Sequence, residues 1–169
     1  MRHLLLAGIL LAAPTALAQG VAAAPASPAS ATAAPMGADA ALLRGILWAT
    51  QPAPEEIRTL AIEDLALLGD PRALGPLSAL LWDPNPRIQQ AVVRAVALFQ
   101  HPLAEEILTN VVRSTRLPDA LKIQALDGLL YQRTPSARGT VETASRDPRL
   151  PLALQSAALN VAARWGATR

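Results

Sequence analysis

The chain has 169 residues, 51% hydrophobic, 17% charged and 3% aromatic, with a formal net charge of +2. So apolar a chain, in a length that suits one domain, excludes disorder throughout, and the lack of cysteine excludes disulfides, thiolate metal sites, thiol catalysis and a lipidated N-terminal cysteine. Fourteen of the 15 basic residues are arginine, so the high pI reflects a small arginine excess and not the dense basic patch of a nucleic-acid binder.

Residues 1–18 read MRHLLLAGILLAAPTALA. A short basic start, an apolar run from Leu4 to Ala13, a breaking Pro14 and the small-x-small triplet Ala16-Leu17-Ala18 form the pattern of a secretory signal peptide, with cleavage expected after Ala18. The run is too short to span about 30 Å of hydrocarbon comfortably. The expected mature chain is soluble, periplasmic or secreted, with no membrane span. Residues 19–38 carry no charge and interleave alanine with Pro25, Pro28 and Pro35. Repeated proline opposes a continuous helix, so a flexible or partly extended linker is expected.

From Asp39 onward the chain repeats. Four segments align without gaps from Ile57, Ile88, Leu121 and Leu154. Apolar residues recur at steps of three and four (Ile57, Ala61, Leu65, Leu68; Ile88, Val92, Val96, Phe99), which is the buried stripe of an amphipathic helix. The first three segments stop at Pro71, Pro102 and Pro135, where a missing N–H and a ring clash oppose continuation. A shorter apolar segment precedes each: 40–48, 72–86, 103–114 and 136–147. The first aligns with 74–82, bringing Leu43, Ile46, Leu47 and Trp48 over Leu77, Leu80, Leu81 and Trp82. The expected fold is therefore all-α: four hairpins over residues 39–169, each a leading helix A and a trailing helix B. One hairpin cannot bury its apolar faces alone, so the hairpins must stack. Small residues at Ala61, Ala91, Ala95, Ala125, Gly128, Ala157 and Ala158 let helices approach closely. Trp48 and Trp82 are read as packing residues over the hairpin ends.

The string I-R-x-x-A-I-x-D-L-A-x-L-G-D-P-R-A-L-x-P-L-x-x-L-L-x-D-P at 57–84 resembles the HEAT repeat in its bacterial phycobilisome-lyase-like form. The match includes Gly69, Asp70, Pro71, Arg72, Ala73 and Pro76. Later repeats drift: His101 stands where Asp70 stood, and the arginine column reads Arg58, Gln89, Lys122 and Gln155. The resemblance implies a right-handed α-solenoid whose B helices line a concave binding surface. It is nearly silent on function, because repeat scaffolds host many roles.

The same resemblance brings in enzymes: chromophore lyases, an iron-dependent hydroxylase built on paired His-Glu motifs, and DNA-repair glycosylases. This chain has no His-Glu pair, and only His101 remains after the expected processing. A metal site of ordinary His and Cys ligands cannot be assembled, and His101 in the Gln100-His101-Pro102 turn reads as a turn or capping residue. The pairs Glu55-Glu56 and Glu105-Glu106 fall in first helical turns, where they complement the helix dipole. No catalytic, metal or cofactor residue is assigned.

The sixth position of each B segment after its first residue holds Glu63, Arg94, Asp127 and Asn160. It is polar throughout and alternates in sign over the first three, which suggests a ladder Glu63–Arg94–Asp127 between stacked repeats. Residues 39–83 carry seven acids and three bases, a net of −4; residues 84–132 five bases and four acids, a net of +1; residues 133–169 six bases and two acids, a net of +4. Such a field can steer a charged partner or a second copy. The expected function is a non-enzymatic protein-binding scaffold or adaptor of the bacterial envelope, monomeric or weakly self-associating, with an envelope protein as its partner. Thr59, Glu63, Gln90, Arg94, Ile123, Asp127 and Tyr131 are expected to line its binding face. The alternative is a structural subunit docking through an uncapped fourth repeat, with exposed apolar surface at Leu154, Leu159, Val161 and Trp165.

Overall fold

The computed structural model describes residues 33–167; the expected signal peptide and residues 19–32 of the expected linker lie outside them. Eight α-helices, and no strand among the described residues, follow in order: α1 (Ala33–Thr50), α2 (Glu55–Leu68), α3 (Leu74–Ala79), α4 (Pro86–Leu98), α5 (Pro102–Arg113), α6 (Asp119–Gln132), α7 (Pro135–Arg146) and α8 (Leu152–Ala167). They form the four A–B hairpins of an α-solenoid-like array. Helix α1 begins at Ala33, inside the segment read as linker. Pro35 falls in its first turn, where a helix needs no N–H donor, so this proline is no barrier.

The prolines between repeats do two jobs. Each stops a B helix and becomes the first residue of the next A element. The residue before each is a side-chain cap in three chemistries. The Asp70 carboxylate accepts the Arg72 N–H at 2.9 Å, His101 Nδ1 accepts the Leu103 N–H at 3.1 Å, and Thr134 Oγ1 accepts the Ala137 N–H at 3.1 Å. The capping role expected for His101 is thus met. Pro76 cannot donate to the Arg72 carbonyl four residues back, and the chain before it tightens into the 3-10 turn Pro71–Ala73.

B helices pack side by side and each A helix packs on its own B partner, giving one continuous core. Ile62, Leu65, Leu77, Ile88, Val92, Val96, Leu108, Leu126, Leu129 and Leu154 are fully enclosed. The small residues act as expected at Gly128, where α6 comes so near α4 and α5 that an added Cβ would lie 3.0 Å from Ala97 Cβ and 3.2 Å from Leu108 Cδ2.

The α1 alignment is a correction. Leu43 and Leu47 are exposed, whereas their supposed counterparts Leu77 and Leu81 are buried; Leu42, Ala49 and, in part, Ile46 are the residues of α1 turned into the core. A continuous α-helix and an element broken into 3-10, α and 3-10 pieces present different phases, so a gapless alignment of the two slips.

Two B helices end in the left-handed region, at Gly69 (φ 68°) and Arg133 (φ 53°), which are equivalent positions of the repeat. Gly69 adopts it freely; Arg133 carries a Cβ that opposes it, at about 1–2 kcal/mol. After allowing for the extra freedom glycine has in the unfolded chain, Arg133→Gly should stabilise the fold by about 0.5–1 kcal/mol. Urea denaturation checks this, and a destabilised variant would refute it.

Candidate functional site

One polar column is spent on holding each hairpin together. Arg58, Gln89, Lys122 and Gln155 each clamp an A–B turn or the start of a B helix. Arg58 Nε donates to the Ala49 carbonyl at 3.0 Å, Gln89 Nε2 to the Asp83 carbonyl at 2.9 Å, Lys122 Nζ to Asp119 Oδ1 at 3.0 Å and Gln155 Nε2 to the Leu150 carbonyl at 2.7 Å. The Arg58 guanidinium also binds the Asp83 carboxylate of the next repeat, with both side chains largely buried.

Two acids expected only to favour a helix dipole are bridges between repeats. Glu55 accepts from Asn85 Nδ2 at 2.7 Å and from Arg87 Nη1 at 2.9 Å, and the Asn85 bond holds its carboxyl below the usual carboxylate range. Glu105 accepts from the Thr134 and Ser136 hydroxyls at the start of α7. Their partners lie some thirty residues away, so spacing along one helix could not reveal them. Among the described residues no three His, Asp or Glu side chains converge as a metal site requires.

The expected binding face is partly assembled. Thr59, Glu63, Gln90 and Arg94 line one shallow groove of about 580 Å³ between α2 and α4, with Glu55 and Arg87 at its rim. Ile123, Asp127 and Tyr131 stand apart on α6: Ile123 leans into the core and Tyr131 is exposed. The ladder is a correction. Arg94 meets Glu63 at 3.9 Å, but no Arg94–Asp127 ion pair forms. Asp127 is taken by Arg164 of α8 at 2.8 Å, a residue one turn beyond the alternating column. Two separate exposed pairs replace a run of three, each worth about 0–1 kcal/mol.

The tryptophans are a second correction. Trp48 is 47% exposed and Trp82 54% exposed, so neither seals a hairpin. Trp82 instead carries the Arg116 guanidinium 4.8 Å from its ring centroid, a cation–π contact.

An apolar groove lies at the α1/α2 end of the stack. Internal B helices show which columns face the preceding repeat. Gln124 and Gln132 of α6 donate back to the Gln90 and Ala97 carbonyls, and Gly128 abuts Ala97. Their equivalents on α4 are Ala91, Phe99 and Ala95, all buried. On α8 they are Ala157, Trp165 and Val161, and Leu154 extends the same face; Leu154 and Val161 are buried, Ala157 and Trp165 partly so. On α2 the same columns are Leu60, Leu68 and Asp64, extended by Ile57, and no repeat precedes them among the described residues. Leu60 is 56% exposed, and Ile57 and Leu68 are exposed too. With Arg44 and Trp48 of α1 they line a groove of about 960 Å³. Its floor is made by the close approach of α1 at Gly45, whose added Cβ would strike Leu65 Cδ2 at 2.7 Å.

The apolar surface bared at α1/α2 is therefore more extensive than that at the expected fourth repeat. Of Leu154, Leu159, Val161 and Trp165, only Leu159 is exposed. The other three belong to columns that look back into the stack. A family model described as HEAT repeats matches residues 43–127. The chain belongs to the HEAT-repeat family. The match runs from the second half of α1 into α6, so most of the first hairpin, all of the second and most of the third fall within it, and α7 and α8 continue the stack beyond it. A search of curated proteins found no match. HEAT repeats commonly mediate protein–protein contacts, so the uncovered α1/α2 face is read as the candidate site.

Proposed function

We propose that this HEAT-repeat chain is a non-enzymatic protein-interaction module, exported to the bacterial envelope, that engages its partner through the α1/α2 end face. The observation that carries the reading is the exposure of Ile57, Leu60 and Leu68, in columns that internal repeats bury. An apolar patch of this kind, with Arg44 and Asp64 among its lining, is the usual mark of a protein-docking surface. Export rests on the signal-peptide pattern of residues 1–18. The groove shared by Thr59, Glu63, Gln90 and Arg94 supports a second, polar contact on the B-helix face.

A photo-crosslinking residue placed at position 60 in cells should give a discrete protein adduct. Placed at Gly75, on the exposed far side of α3, it should give none. Equal labelling at both positions would overturn the docking reading. Intact mass of the recovered chain should show loss of residues 1–18, and a full-length cytosolic chain would overturn export.

A further inference from the structure

We infer that the occupant of the α1/α2 end face is the α8 face of a second copy, so that the solenoid continues head to tail from one molecule to the next. This rests on reading that end as a protein-docking surface.

The argument comes from the repeat's own packing rule. The α2 end presents the columns that pack on a preceding repeat: Ile57, Leu60, Asp64 and Leu68. A matching surface must present the columns that pack on a following one. Ala97 of α4 lies in such a column, because it abuts Gly128 of α6. Its equivalent on α8 is Ala163, which is exposed. The neighbouring column reads Ile62, Val93, Leu126 and Leu159. The first three are at most 1% exposed; Leu159 is 56% exposed. One molecule thus carries both halves of the internal B–B interface, one at each end, and each is bare among the described residues.

Charge agrees with this pairing. The end to be covered lies in the acidic part of the chain, net −4 over residues 39–83. The covering end lies in the basic part, net +4 over residues 133–169. Opposed ends attract head to tail and repel head to head, which disfavours a two-fold dimer through either end. The contact is heterologous, and it propagates unless its rotation closes a ring.

Sedimentation velocity of the chain as recovered from expressing cells tests this. The weight-average mass should rise with concentration past the dimer, and association should weaken as salt is raised. Leu60→Arg and Leu159→Asp each spoil one end and should each raise the dissociation constant by about tenfold or more, since each removes a buried leucine. Both sites are solvent-exposed in the single molecule, so circular dichroism melts should hold steady. An equal mixture of the two variants should regain association, because each keeps one intact end. That recovery is what a two-fold dimer cannot give. A chain that stays monomeric at every concentration overturns the proposal, as does a dimer indifferent to Leu159→Asp. If such a monomer still crosslinks to another protein from position 60, self-docking fails while the interaction-module reading stands.

Discussion

Replacing Arg58 with methionine should cost about 2–3 kcal/mol of folding stability, read by urea denaturation near neutral pH. The guanidinium ties three pieces of chain together: the end of α1 through the Ala49 carbonyl, its own helix α2, and the Asp83 turn of the next repeat. Both charged side chains are largely shielded, so this is not an ordinary surface pair. Methionine keeps much of the apolar stem but leaves Asp83 enclosed and without its counter-charge, and that stranded carboxylate is the main cost. Arg58→Met combined with Asp83→Asn should therefore recover part of the loss, and strict additivity would refute the coupling.

The same pair predicts a pH dependence. Burial pushes the Asp83 carboxyl up, but the Arg58 bond and the Asn85 N–H outweigh it, and the net effect is a lowered pKa. Asp70, held by the Arg72 side chain and backbone, and Glu55, held by Asn85, are lowered as well. A carboxyl whose folded pKa lies below its unfolded value stabilises the fold at any pH above the unfolded value. That contribution is lost as pH falls through the folded value. Stability should thus fall on acidification, and the gap between wild type and Arg58→Met should be widest near neutrality and close at strongly acid pH. A gap that stays constant through the acid limb would show that the ion pair is not its source.

What could be read from the sequence, and what could not, divides along a physical line. The helices, apart from the start of α1, were legible because each signal is local: apolar steps of three and four and a proline at each junction. His101 was legible for the same reason, since a turn residue two before a free N–H is placed to cap it. Contacts between repeats were not legible, because they join residues about thirty apart. Glu55 and Glu105 read as dipole partners until Asn85, Thr134 and Ser136 came into reach. Asp127 read as a partner of Arg94, yet Arg164 reaches it from outside the column. The exposed face at α1/α2 was not legible because an apolar column shows that a face is buried but not whether it looks backward or forward along the stack. The direction was present in weak form. The column of Leu60, Ala91, Gln124 and Ala157 and the column of Ile62, Val93, Leu126 and Leu159 lie on opposite flanks of the same helix, and only packing says which flank leads.

Gly128→Leu should be the most damaging single change in the core, costing about 3 kcal/mol or more. Glycine in a helix interior normally loses about 1 kcal/mol against alanine, so its presence in α6 calls for a steric reason. The reason is the contact with Ala97 and Leu108, both themselves buried. Ala97 Cβ is fixed to the α4 backbone and cannot turn away, so any side chain at 128 must push α6 off α4. Overpacking by a whole leucine at such a point exceeds the usual range of about 1–3 kcal/mol for added methylenes. Gly128→Ala sets the helix gain against a squeeze of a few tenths of an ångström and should stay within about 1 kcal/mol of wild type. Ala97→Gly relieves that squeeze, so Gly128→Ala and Ala97→Gly together should be more stable than their separate effects add up to. Because α4–α6 is the joint between the second and third hairpins, Gly128→Leu should also split unfolding into two steps, as nearest-neighbour coupling in a stacked array requires. A single sharp transition with a loss below about 1 kcal/mol would mean that the joint has room to spare, and that the close approach at Gly128 does not hold the two halves of the stack together.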